Sequence, residues 1–233
     1  MLEFLKRKTN TSTEIIECTE GKNKKDNDSV KIGSGYAATT AAQSATQQAA
    51  KTFAKPDTYT GNRTLYDSGA AKLKAKKDLF STGKKVVDPY TGDTLVLTKK
   101  EAKLLYGDDW QKHLAESDHV KPLEQVFNDT KDNVWNTTQD IKNAANSEDN
   151  IKVASRKFNN PKRSRTNKKY VEDEPYLDSK GVKLTKKGKE QAIRDGEQAE
   201  RSINMQLRKS SIKNAVKTGH EAGKMGAQNA GVT

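Results

Sequence analysis

The chain has 233 residues, of which 32% are hydrophobic and 32% are charged. With a mean hydropathy of -0.99 it is too polar to bury its whole length in one globule, so we expect one small domain with extended flanks. Its 43 Lys and Arg against 31 Asp and Glu give a net charge of +12, which favours polyanionic partners such as DNA, RNA or an anionic membrane. A single cysteine, Cys18, excludes a disulfide framework and a multi-cysteine zinc site within one chain.

Targeting signals are the next property that the sequence addresses. The N-terminus has basic residues after a very short apolar patch, which is the reverse of a secretory signal. No stretch approaches the ~20 apolar residues that a membrane-spanning helix needs. We therefore expect a cytoplasmic protein without a signal peptide or a membrane span, with export by a non-classical route left open. The small-residue-rich ending carries no stop signal and is compatible with a fragment of a longer protein.

Residues 1–79 form the first predicted region. They are rich in Lys, Asn, Asp and Thr, and they include an Ala/Thr/Gln tract from Ala37 to Ala50. Large aliphatic side chains are scarce, so the segment cannot offset its ordering entropy by burial. The composition predicts a disordered tether.

Residues 80–172 form the predicted compact domain, because apolar content rises there. Pro89 and Gly92 punctuate two β-prone runs between residues 86 and 97, as in a hairpin.

A helix over residues 99–106 is expected next. Thr98 is its predicted N-cap, in a capping box with Glu101, and Gly107 ends it. The core residues expected from this region are Leu104, Leu105 and Trp110.

The rest of the compact domain alternates strands and helices. The pattern predicts a strand at residues 118–120 that Pro122 stops, and then a helical stretch over about 123–145. A second strand at 150–154 leads through Ser155 into a basic helix.

Residues 173–233 are predicted to form a polar helical tail. A helix-prone stretch runs from Thr185 to about Lys217, with few apolar residues at approximate helical spacing. These residues are Ile193, Ile203, Leu207, Ile212 and Val216. They suffice for a helix that rests on a protein partner, but not for a core of its own.

The candidate catalytic groups lie close together at residues 118 and 119. Of the three histidines, His119 is the one that directly follows an aspartate, and its imidazole, with a usual pKa near ~6.5, can take a proton from water. Asp118 supplies the hard carboxylate oxygen that Mg²⁺ prefers, and Asn159 on the basic helix can face back to add an amide oxygen. Neighbouring strand residues point to opposite faces, so Asp118 and His119 can serve one phosphate only if the strand ends or bends there.

Two further asparagines complete the candidate set. Asn150, at the start of the second strand, is placed to hydrogen-bond the main chain of the loop that carries the histidine. Pro161 removes one donor from the basic helix and would kink or shorten it. Asn160 therefore stays open as an alternative ligand to Asn159.

No acidic residue interrupts the basic run from residue 152 to residue 169. Beside a phosphate-cleaving site, such a run would hold the backbone and stabilise charge in the transition state. Its candidate nucleic-acid-binding residues are Lys152, Arg156, Lys157, Lys162, Arg163 and Arg165. Nothing in the run encodes base readout, so weak sequence preference is expected.

Three segments resemble, in their order, the HNH (ββα-metal) endonuclease family, including the HNH domain of CRISPR effector nucleases. They are Asp118-His-Val-x-Pro, Asn150-Ile-x-Val, and an Asn nine positions after Asn150. Upstream, Asp88-Pro-Tyr-Thr-Gly is similar to the Cys-x-Tyr-Thr-Gly segment that often precedes this motif. The resemblance covers about residues 86–168. It implies an α+β fold with a small ββα-metal (HNH-type) domain, and an endonuclease that hydrolyses phosphodiester bonds in DNA.

The resemblance also implies a role for each residue that matches. His119 would activate water as general base, Asp118 and Asn159 would bind one Mg²⁺ or Mn²⁺, and Asn150 would brace the fold. Asp88 stands where a zinc cysteine often stands, so no structural zinc is expected. The long separation between His119 and Asn150 implies an inserted helix. DNA is the expected partner, with RNA left open.

Two other functions stay open from the sequence. One is a non-catalytic nucleic-acid-binding protein of a mobile element or phage, which would use the basic run as its contact surface. The other is the nuclease part of an exported toxin, which the long flanks permit.

Overall fold

The computed structural model describes residues 43–229, which belong to one compact unit spanning residues 41–233. This part of the chain has the predicted α+β class: it is mostly helical and contains a two-stranded antiparallel sheet. None of its helices is both long enough and apolar enough to cross a membrane. Residues 1–42 of the predicted tether lie outside the described residues.

Short helices surround the two strands, and one long helix follows them. The elements are α1 (residues 43–52), α2 (Arg63–Tyr66), α3 (Gly69–Ser81), α4 (Lys99–Tyr106), α5 (Trp110–His113), β1 (Ala115–His119), α6 (Leu123–Thr130), α7 (Thr138–Ala145), β2 (Ile151–Ser155), α8 (Arg156–Lys162), α9 (Asn167–Glu172), α10 (Glu174–Ser179) and α11 (Lys186–Asn229).

Strands β1 and β2 pair antiparallel, in a register that joins Ala115 to Ser155 and His119 to Ile151. Helix α8 follows β2 directly, because the Ser155 hydroxyl accepts a hydrogen bond from the main-chain N–H of Phe158 at 3.2 Å and caps the helix. The two paired strands and α8 therefore form a ββα unit, with α6 and α7 inserted between the strands.

The helix predicted over residues 123–145 is two helices in the structure. Thr137 starts a new helix because its side chain accepts from the N–H of Asp140, whose carboxylate in turn accepts from the N–H of Thr137. This reciprocal capping box gives α7 its own N-terminus. The single-helix prediction is wrong for that local reason.

The predicted hairpin is reduced to one bridge between Val87 and Thr94, and Val96 pairs instead in parallel with Leu114. Helix α4 has the predicted bounds and is capped by Thr98. The expectation that α4 supplies leucines to the core is wrong: their exposed fractions are 81% for Leu104 and 59% for Leu105. The buried residue of α4 is Ala102, so the helix presents a narrow apolar face to the protein.

The core extends past both boundaries predicted for the compact domain. Tyr66 of α2 packs in one cluster with Phe127 and Ile141, and Ile203 and Leu207 of α11 join the same cluster. A second cluster draws its members from positions between residues 90 and 192. It contains Tyr90, Phe158, Tyr170, Val171, Leu177, Val182 and Ala192.

Helix α3 and the segment before it lie in the region that the sequence analysis assigns to the tether. The Ser117 hydroxyl of β1 donates a hydrogen bond to the Lys72 carbonyl of α3 at 2.7 Å. Residues 63–81 therefore belong to the ordered structure around the sheet.

Candidate active site

Residues 118 and 119 line a cleft at the end of β1, which we call the His119 cleft. Its lining residues are Tyr59, Arg63, Asp118, His119, Pro122, Leu123, Glu124, Arg163 and Ser164. Because β1 ends at His119 and the chain bends at the next two residues, the two neighbouring side chains reach one cleft. Such a strand end is the condition under which Asp118 and His119 can serve one phosphate.

His119 is buried, with 3% of its surface exposed. Burial lowers its pKa below 6.5, and the nearby Lys72 acts in the same direction, whereas the hydrogen bond to Asn146 and the charge of Asp118 oppose the shift. The imidazole therefore stays neutral at neutral pH, as a general base requires.

Asn146 fixes which ring nitrogen of His119 carries the proton. The amide Nδ2 of Asn146 donates to the carbonyls of Tyr66 at 2.7 Å and Lys142 at 2.6 Å, which identifies its Oδ1 as the acceptor. That Oδ1 lies 3.0 Å from Nε2 of His119 and also accepts from the N–H of Ser68. Nε2 must then be the donor, which leaves Nδ1 unprotonated in the neutral ring.

Lys162 is buried beside Asp118, although the basic run had predicted it as a nucleic-acid contact. Its ammonium lies 2.8 Å from the Asp118 carboxylate, 2.6 Å from the His119 carbonyl and 3.1 Å from Oδ1 of Asn167. Burial lowers the pKa of Lys162, and the adjacent Asp118 opposes that shift. With 2% of its surface exposed, Lys162 holds the end of β1 in place and is not available to a phosphate backbone.

Asn159 and Asn160 face different parts of the protein. The Nδ2 of Asn159 donates to the Glu116 carbonyl of β1 at 2.9 Å, so its side chain lies against the strand that carries Asp118. Asn160 is exposed and lines another cleft. Pro161 lies inside α8, which still extends to Lys162. Of the two asparagines, Asn159 is the one whose side chain contacts β1, and neither lines the His119 cleft.

The donor set permits a magnesium ion but not a protein-rich metal cage. Among residues 43–229, no group of three or more His, Cys, Asp or Glu converges on one point. Mg²⁺ keeps several waters and needs only one or two protein ligands beside a phosphate. The Asp118 carboxylate and the Asn159 amide oxygen are oxygen ligands of the type that Mg²⁺ prefers, although Asn159 does not belong to the lining of the His119 cleft.

Asn150 binds the main chain just beyond His119. Its Oδ1 accepts from the Lys121 N–H at 2.7 Å, and its Nδ2 donates to the carbonyls of Lys121 at 3.1 Å and Ala145 at 2.6 Å. These bonds fix the bend after β1 against the end of α7. They are the main-chain contacts that the sequence analysis expects of a bracing residue.

The predicted contact residues of the basic run differ in their surroundings. Three of its members contact groups of the protein itself: Arg156 pairs with Glu116, Lys152 donates to the Glu148 carbonyl, and the Arg165 guanidinium lies 3.9 Å from the centre of the Tyr176 ring. Lys157 and Arg163 line open clefts. Of the six predicted contacts, these two are the ones that border the clefts next to His119.

Asp88 ties the upstream turn to the ββα unit. Its Oδ1 accepts from the N–H groups of Tyr90 at 2.8 Å and Thr91 at 3.1 Å, and its Oδ2 accepts from the Ser155 N–H at 2.6 Å. The carboxylate thus joins residues 88–91 to the junction of β2 and α8.

Sequence reasoning missed Arg63 and Asn146. Arg63 lies in the predicted tether, and Asn146 lies in a polar stretch with no spacing pattern relative to His119. Arg63 lines the cleft and Asn146 contacts His119 only through the fold, so no local signal could have identified them.

Comparisons with protein-family models, with curated proteins and with solved structures found no match to the chain.

Proposed function

We propose that this protein is a metal-dependent endonuclease of the HNH (ββα-metal) type that hydrolyses phosphodiester bonds in DNA. The observation that carries the proposal is the His119 cleft. There, a histidine held neutral with Nδ1 unprotonated shares one opening with the Asp118 carboxylate.

The chain's own groups then have separate tasks. Nδ1 of His119 takes the proton from the attacking water, and the imidazolium that forms keeps its Nε2–H on Asn146. Asp118 and Asn159 would hold one Mg²⁺ or Mn²⁺. When bound, the cation supplies positive charge for the phosphoryl oxygens and the departing 3′ oxygen. Lys162 and Asn150 position the end of β1, which carries Asp118 and His119.

Replacing the base tests the proposal. His119→Ala is expected to lower the rate of plasmid nicking in Mg²⁺ at least ~100-fold, because general-base catalysis contributes on that order. Binding of DNA, measured by fluorescence anisotropy, is expected to stay within about twofold, since His119 is buried and neutral. EDTA is expected to stop cleavage by the wild type.

The matched control is His220→Ala, which removes an exposed histidine of α11 and should leave nicking unchanged. Nicking by His119→Ala at the wild-type rate, with magnesium present, would contradict the proposal.

One contact favours a second candidate, a nucleic-acid-binding protein without catalysis. Asp118 already has a cationic partner in Lys162, so its carboxylate is neutralised without a metal. For such a protein, nucleic-acid binding is expected to be salt-sensitive and insensitive to EDTA, and no cleavage is expected with any added metal ion.

A further inference from the structure

A second cleft adjoins the His119 cleft, and we call it the Lys157 cleft. Its lining residues are Gln111, Lys157, Asn160, Pro161, Arg163, Tyr176 and Lys180. Three of them are cationic and none is a carboxylate. Clefts lined by one sign of charge concentrate the electrostatic field and attract the opposite charge, so this cleft favours an anion.

The cations come from separate segments that the fold brings together. Lys157 belongs to α8, whereas Lys180 follows α10. The Lys157 ammonium lies 3.4 Å from where a Cβ on Gly181 would stand, so it reaches the turn that carries Lys180. The Tyr176 hydroxyl donates to the Pro161 carbonyl at 3.0 Å and holds α10 against α8. The positive cleft is therefore built by tertiary contacts, with no acidic residue in its lining.

Arg163 lines both clefts. Its φ is 51°, which makes it the one non-glycine residue with a positive φ among those that the structure describes. Side chains rarely adopt such a backbone conformation, and strain of this kind is concentrated at functional sites. The strained turn directly after α8 places an arginine on the boundary between the two clefts.

We propose that the Lys157 cleft is a second phosphate subsite, which binds a backbone phosphate of a nucleic-acid strand that passes Arg163 into the His119 cleft. Lys157 and Lys180 contact this phosphate, and the Asn160 amide is available as a further donor. That the same strand is cut at His119 rests on the function proposed above, whereas binding of the phosphate does not.

The test is binding without cleavage. The binding constant of a fluorescein-labelled DNA oligonucleotide is measured by anisotropy in EDTA over a range of salt concentrations. For the double variant Lys157→Ala/Lys180→Ala, we expect at least about tenfold weaker binding and a slope of log K against log[salt] that is smaller by about 1 to 2, because each lost phosphate contact removes about one unit.

The matched control is Lys209→Ala/Lys213→Ala, which removes the same charge from an exposed part of α11 that lines neither cleft. An equal loss of affinity and slope in this control would show a general charge effect and would overturn the subsite. Unchanged binding by Lys157→Ala/Lys180→Ala would overturn it too, as would binding of inorganic phosphate without binding of the oligonucleotide.

Arg163→Gly tests the boundary residue without a risk to folding, since glycine readily adopts the observed φ. We expect an unchanged or higher Tm together with weaker oligonucleotide binding. Wild-type binding by this variant would overturn the role of Arg163.

A nicking assay on the same proteins separates this inference from the proposed function. If the wild type never cleaves but the double variant loses oligonucleotide binding, the phosphate subsite is supported and the endonuclease function is refuted. If the wild type cleaves and the double variant binds and cleaves as well as the wild type, the endonuclease function is supported and the phosphate subsite is refuted. If both hold, the double variant raises KM with little change in kcat.

Discussion

The buried Lys162 and the half-buried Asn146 determine the chemistry available at the His119 cleft. Lys162 places a fully buried ammonium beside Asp118 and the His119 carbonyl, so the strand end cannot move without leaving a buried charge unpaired. Asn146 gives His119 one tautomer. Neither residue lines the cleft. Lys162 positions Asp118 and Asn146 positions His119, and both of these residues line it.

The role of Asn146 can be tested by its removal. In Asn146→Ala, His119 loses the acceptor for Nε2–H, so the neutral ring is free to populate both tautomers. We expect the nicking rate to fall by about 10- to 100-fold, the usual range for residues that orient catalytic groups through hydrogen bonds. Long-range ¹H–¹⁵N NMR of labelled histidine should show Nδ1 unprotonated in the wild type and a mixture in the variant.

Asn143→Ala is the control, because Asn143 is an exposed residue of α7, whose C-cap is Asn146, and it accepts a hydrogen bond from Gln139. A tautomer signal that is the same in Asn146→Ala and the wild type would contradict the assignment, whatever the stability of the variant.

Side-chain caps begin several helices of this chain, and one of these caps has a second hydrogen-bonding partner in α11. The Asp140 carboxylate closes the capping box of α7 with Thr137 and also accepts from Nδ2 of Asn214 in α11 at 2.9 Å. Burial alone would raise the pKa of Asp140, but the hydrogen bonds from Thr137 and Asn214 outweigh it and lower the pKa below 3.8.

This carboxylate predicts a pH dependence of stability. Because the folded state lowers the pKa of Asp140, its contribution is present above the usual value of 3.8 and is lost as the pH falls through the lower folded value. Asp140→Asn is expected to reduce the free energy of unfolding by about 1 kcal/mol at neutral pH, the typical size of a lost cap. The difference from the wild type should shrink below a pH of 3.8.

Urea unfolding at several pH values measures this difference. Asp178→Asn, which changes an exposed carboxylate of α10, serves as the control for the loss of one negative charge. A deficit in Asp140→Asn that stays constant down to strongly acidic pH would contradict the prediction.

At the scale of the whole molecule, α11 packs against segments that are remote in the sequence. Thr185, the residue before α11, donates its N–H to the Tyr90 carbonyl at 3.1 Å. The Tyr90 hydroxyl donates to the Asp195 carboxylate of α11 at 2.8 Å, and the Tyr90 ring lies 4.5 Å from that of Phe158 in α8. The segment that the sequence assigns to a tail thus supports the helix that carries Asn159.

Gly188 of α11 makes the closest approach in this contact. A Cβ at this position would lie 1.9 Å from the Tyr90 carbonyl oxygen, so the backbone of α11 would have to shift away from Tyr90. Gly188→Ala is expected to lower the free energy of unfolding by about 2 kcal/mol, as overpacking does when the backbone must shift.

Gly219→Ala in the same helix provides a control of opposite sign. Nothing lies within 4 Å of a Cβ there, so the helix propensity of alanine should stabilise the protein by about 0.5 to 1 kcal/mol. Both variants are compared by urea unfolding, and equal effects would refute the close contact.

The sequence by itself determined the features that depend on neighbours in the chain. The Thr98 cap and Gly107 gave both ends of α4, and Ser155 started α8 at the expected residue. The strand that ends at His119 was found within a few residues, since a proline and a bend follow it directly. Capping, turns and alternation act over a few residues, and a single sequence records them.

Only the tertiary structure decided which side chains are buried and what they meet. It buries Lys162, exposes Leu104 and orders part of the predicted tether, so that Arg63 lines the cleft of a histidine more than fifty positions away. It also brings Asn146 to His119 from the far end of α7. The physical reason is that a residue's burial depends on which remote element covers its face, and that choice is made by packing across the chain.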